Sequence, residues 1–152
     1  MLTDESGTTD FSNVSRMLDA IEKGDMDELR RCLAPGALTW HNIDEVEQDV
    51  DTSIAVLGNF CTISTSRAYE DRRVTTVGSL AFLQHTLTAT LRSGAQFRMP
   101  AMMRVEVGSD GLVARIEEYF DSRVLDGLAE ALDWHVGHIE EDEMDARAHD
   151  LR

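Results

Sequence analysis

Two ionisable residues stand where the surrounding pattern calls for apolar ones. Across residues 80–92, one set of alternate positions reads Ala81, Leu83, His85, Leu87, Ala89 and Leu91, and His85 is its only polar member. Across residues 112–121, Leu112, Ala114, Ile116, Glu118 and Phe120 share a face that Glu118 alone interrupts. A buried carboxylate or imidazole is costly unless it is paired. Burial raises the pKa of the first and lowers that of the second, the kind of tuning a general acid or base needs. A short extended segment earlier in the chain adds Leu38, Trp40 and Asn42 on one side. The indole N–H and the amide could donate hydrogen bonds to a substrate oxygen or a water. Alternation therefore nominates Glu118, His85 and Asn42 for catalysis, with Trp40 as wall. Each has a plainer reading: a core histidine, a rim carboxylate paired with an Arg, a wall residue and a turn-holding amide.

These residues need elements that bring them together. Phe11, Val14, Leu18 and Ile21 recur at helical spacing, and Thr9 or Asp10 can cap that helix. Gly24 stops it, and Asp25 caps a second helix carrying Met26, Leu29, Cys32 and Leu33, which Pro35-Gly36 should end. A longer helix follows the early strand, with Val46, Val50, Ile54, Leu57 and Cys61 on one face. The rhythm then changes to period two. Residues 67–77, 80–92, 96–107 and 112–121 read as four strands joined by short turns, hence antiparallel. Pro100 suggests a bulge or a sheet edge. Val124, Leu125, Leu128 and Leu132 suggest a closing helix. Helices followed by a meander give an α+β domain in which a curved antiparallel sheet wraps the N-terminal helices and leaves an apolar pocket. Leu83, Leu87, Phe97, Met99, Met103, Ile116 and Phe120, with Trp40, are its expected substrate-binding lining.

Composition limits what such a pocket can serve. At 152 residues, 42% apolar and 28% charged, the chain suits one domain. Its 29 acidic residues against 14 basic ones give a formal net charge of −15, which repels phosphate backbones and anionic lipid. Neither nucleic acid nor membrane is an expected partner. The start of the chain is acidic and polar, unlike a secretory leader, and the cytoplasm is the simplest compartment. Cys32 and Cys61 fall at apolar helical positions and read as reduced core residues. No metal or other cofactor is implied, because no two His or carboxylate residues share a helix face at ligand spacing with a third nearby. Residues 1–9 read as a flexible N-terminus. From Glu140 the chain is acidic without apolar rhythm, and His135, His138 and His149 read as solvated.

Several phrases resemble a known family. Ile21-Glu22-Lys23-Gly24-Asp25 precedes a Leu-rich helix, and Ala34-Pro35-Gly36-Ala37 precedes a strand. Residues 110–121, including Glu117-Glu118-Tyr119-Phe120-Asp121, form the last strand. In this order they look like the SnoaL-like branch of the nuclear transport factor 2 superfamily, over roughly residues 10–132. The resemblance implies a cystatin-like roll, with the domain at 10–134 and an acidic C-terminal tail at 135–152. It implies catalysts such as isomerases, dehydratases, polyketide cyclases and epoxide hydrolases, and also non-catalytic binders. The motif is most similar to the limonene epoxide hydrolase type, whose base falls at Glu118 and whose water-holding Tyr and Asn fall at Trp40 and Asn42. The Arg and Asp of that type fall near Leu83 and His85, so both are replaced. The expectation is a cofactor-independent acid–base enzyme acting on a small, largely apolar molecule, as a homodimer through the outer sheet face. The alternative is a module of the same fold that binds a hydrophobic ligand or dimerises without catalysis.

Overall fold

The computed structural model describes residues 7–130. Leu132, the three histidines after it, the acidic tail and residues 1–6 lie outside the described residues. Helices α1 (Ser12–Lys23) and α2 (Met26–Cys32) lead into strand β1 (Leu33–His41), a two-residue β2 (Glu47–Gln48) and α3 (Val50–Ile63). Strands β3 (Ser64–Val77), β4 (Leu80–Leu91), β5 (Gln96–Val107) and β6 (Val113–Phe120) follow, and residues 124–130 are helical. The fold is α+β.

Local chemistry explains most of these limits. The α1 stripe of Val14, Met17, Leu18 and Ile21 is buried against the sheet. Its N-terminus is served by Asp10, whose carboxylate accepts a hydrogen bond from the Ser12 N–H at 2.9 Å. Gly24 closes the helix at φ 71°, a left-handed conformation that only glycine adopts cheaply. Asp25 caps α2 by accepting from the Glu28 N–H at 3.0 Å. That helix ends at Cys32, before Pro35-Gly36, because Leu33 is already extended. The Pro-Gly pair falls instead in β1, at an irregularity of pairing between Leu33 and Leu38. Asp49 caps α3 through Thr52, so Val46 lies outside the helix and is exposed.

One six-stranded sheet runs in the order β2-β1-β6-β5-β4-β3. The meander β3 to β6 is antiparallel, as expected, but β1 joins β6 in parallel, aligning His41 with Glu118. Bulges in β3 at Ser64/Ser66 and Glu70/Arg73 bend the sheet, the second around Asp71 at φ 53°. Pro100 sits without a bulge, where β5 runs past the last residue of β6. The concave face packs on α1 and α3. Leu18, Leu29, Cys32, Leu83, Val105 and Val113 form the most deeply buried part of the core. Arg67 fastens sheet to helices. Its guanidinium donates to the Ile21 and Glu22 carbonyls at the end of α1, to the Cys61 and Ser64 carbonyls and to the Ser64 hydroxyl.

Candidate active site

Between the concave sheet face and the helices lies a cavity of about 430 Å³. That is within the usual range for small-molecule sites. Its sheet wall is built by Tyr69 from β3, Leu87 from β4, Met99 and Met103 from β5, and Ile116, Glu118 and Phe120 from β6. Thr39 and His41 add the end of β1. The opposite wall comes from α1 and α3, including Leu18, Ile21, Ser53, Leu57 and Phe60, while Leu125 and Leu128 flank it from residues 124–130. Exposed Asp44 and Asn59 mark the rim.

Glu118 is the charged group inside. It is 6% exposed, and burial alone pushes its carboxyl up to about 7. Among the described residues no hydrogen bond or cation offsets that cost. Its neighbour is His41, its register partner on the parallel strand, and the next residue, Asn42, donates its backbone N–H to the Glu118 carbonyl at 3.1 Å. Adjacent strands lie about 4.8 Å apart, so the two inward side chains are neighbours. Burial lowers the His41 pKa, partly opposed by the Asp44 charge at the rim. Its ring meets Phe120 edge-on at 6.0 Å. Tyr69 is the third polar group. Burial, reinforced by the Glu118 charge, raises its pKa, which keeps the phenol protonated and a hydrogen-bond donor.

The structure brings only part of the expected set to the cavity. Trp40 and Asn42 face out of the cavity. In β1 the inward positions are Thr39 and His41, in phase with buried Leu33 and Ala37, so the alternate set opposite to the expected one faces the cavity. Trp40 stacks at a tilt on Tyr119 of the outer surface, centroids 5.5 Å apart. Asn42 ties the strand ends together, donating from Nδ2 to the Phe120 carbonyl at 3.1 Å and accepting from the Phe120 N–H at 3.0 Å. His85 faces inward but lies outside the cavity wall. It packs edge-on against the Tyr69 ring at 5.0 Å, and both ring nitrogens are buried without a hydrogen-bond partner. It does not meet Glu118. His85 aligns with Ala101 and Phe120, Glu118 with Met103 and Leu83, so two strand spacings across and two residues along the strands separate them, about 12 Å. Leu83 and Phe97 are buried core, Phe97 against Phe60 at 5.5 Å. Leu87, Met99, Met103, Ile116 and Phe120 do line the cavity.

His41, Tyr69 and Ser53 were missed. His41 carried a signal, since it alternates with the chosen Trp40, and counting in twos from Leu33 through Ala37 and Thr39 places it inside. Tyr69 lies before the second β3 bulge, on a strand whose mixed composition concealed its inner face.

The family model described as SnoaL-like domain matches residues 14–116. A search of curated proteins finds no match. Among solved structures, PrhC from Penicillium brasilianum is 15% identical with a TM-score of 0.69, covering 82% of this chain and 87% of that one. A protein named as a SnoaL-like polyketide cyclase, from Shewanella denitrificans, is 8% identical with a TM-score of 0.66, covering 78% and 95%. An LEH-like epoxide hydrolase from M. tuberculosis is 17% identical with a TM-score of 0.64, covering 83% and 93%. At these identities the likeness is one of fold.

Proposed function

The chain belongs to the SnoaL-like domain family, and we propose that it is a cofactor-independent acid–base enzyme acting on a small, largely apolar molecule that carries an oxygen function. The observation behind this reading is the Glu118 carboxyl, buried without a protein partner in a largely apolar cavity and held at about 7. A group so tuned is divided between its two protonation states at neutral pH and can either take or give a proton. As base it removes a proton from a C–H next to a carbonyl, or from a water poised beside a strained ring. The Tyr69 hydroxyl donates to the substrate oxygen where negative charge gathers. His41, beside Glu118 and nearer the rim, passes the proton onward. Isomerisation, dehydration, cyclisation and water addition all use these parts.

Glu118→Gln tests this reading. It removes the titrating proton with little change of shape, and turnover of the true substrate should fall by about 10²–10⁴-fold while the fold is kept. A pH-titrated infrared carboxyl band near neutrality should vanish in the same variant. Undiminished turnover would remove Glu118 from the mechanism. The rival reading, a non-catalytic binder, shares the apolar cavity and predicts ligand retention by the parent and by Glu118→Gln alike, with no product from either. The outer face, where Trp40 and exposed Met102 and Tyr119 lie among charges, is proposed as a homodimer surface. Sedimentation should find a dimer that Tyr119→Lys weakens.

A further inference from the structure

We propose that Ser53 is a second polar anchor in the cavity, so that the molecule taken there is mostly apolar with an oxygen function at each of two separated ends. One end meets Glu118 on the sheet, and the other exchanges a hydrogen bond with Ser53 on the helix. This inference rests on the reading of the Glu118 cavity as the substrate site.

Ser53 occupies the first turn of α3 and lines the cavity wall opposite the sheet. It is 6% exposed, and its Oγ is buried with no hydrogen-bond partner among the described residues. Its backbone N–H is already engaged, donating to the Asp49 carbonyl at 3.0 Å. A buried hydroxyl left unsatisfied is unfavourable, and native structures rarely keep one that a ligand or water does not serve. The other serine this deep among the described residues shows the contrast, since the Ser64 hydroxyl donates to the Phe60 carbonyl at 2.7 Å and accepts from Arg67 at 2.6 Å. Ser53 has apolar company instead, with Val50 before it, Leu57 one turn on and Phe60 beyond. Packing alone would favour alanine at this position, which also has the higher helix propensity. A serine hydroxyl turns about a single torsion between staggered wells, so it can present its oxygen to a molecule in the cavity at small cost.

The test compares matched ligands by calorimetry, using linear α,ω-diols and the mono-alcohols of equal length. A mono-alcohol can satisfy its hydroxyl at Glu118 and is indifferent to Ser53, whereas a diol that spans the cavity uses both. Ser53→Ala should weaken the best diol about tenfold while mono-alcohol affinity stays within about twofold. The thermal midpoint of the ligand-free variant should equal or exceed that of the parent, because no internal hydrogen bond is lost. Three results would overturn the proposal: diol affinity within about twofold of the parent, a clearly lowered midpoint, or a parent that binds neither ligand class. The earlier reading fails separately, through undiminished turnover in Glu118→Gln, and that outcome leaves these binding ratios unaffected.

Discussion

Glu118 and His85 impose opposite pH dependences on the same core. Glu118 titrates at about 7 when folded against an ordinary value of 4.5, so the folded state holds its proton more tightly. The stability it contributes is complete below 4.5 and is lost as pH rises through about 7. His85 is pushed down to about 4 by burial, with help from the nearby Arg72 charge. Its contribution is complete above 6.5 and is lost as pH falls toward about 4. In the overlap one gains as the other declines, which predicts a broad plateau flanked by two falls. Glu118→Gln should resemble the parent near about pH 4 and exceed it by on the order of 3 kcal/mol near about pH 8, as denaturant titration would show. His85→Leu should flatten the acid limb instead and raise the midpoint at neutral pH, because two orphaned nitrogens disappear. Both residues were legible from the sequence, since each broke an apolar row. Their separation was not, because alternation assigns a face and says nothing of which neighbours share a row.

The elements hold the cavity open by being fastened at its corners. Arg67 makes five hydrogen bonds that join the start of β3 to the ends of α1 and α3. Arg67→Met keeps the aliphatic stem but leaves those carbonyls without a donor, and should lower the midpoint by roughly 5–10 °C. Arg123→Met, which loses only an exposed pairing with Asp121, should leave the midpoint unchanged. Calorimetry of the two variants side by side separates an anchor from a decoration. The sequence showed the strands of the meander, because period two and short turns suffice for antiparallel neighbours. It did not show the parallel seam of β1 with β6, which joins segments nearly eighty residues apart and depends on register. Hence Glu118 was found and His41, its partner across that seam, was not.

At the scale of the molecule, charge and shape pull against each other. A net charge of −15 on a 17.0 kDa chain strains the compact state by self-repulsion. Raising salt from about 0.02 M to about 0.3 M should therefore raise the midpoint, as screening shortens the reach of that repulsion. The same acidity favours neutral or cationic visitors at a rim that includes Asp44. Among the described residues no helix is long and apolar enough to cross a membrane.

The irregularity around Pro35 and Gly36 falls where the first strand leaves Val113 and rejoins its neighbour at Arg115. Five steps of the first strand there oppose two of its neighbour, so the spare residues bow out of the pairing while Leu33, Thr39 and His41 keep one face. A change of length in that bow would be taken up by its slack before it reached the imidazole, which leaves the lining of the chamber buffered against it.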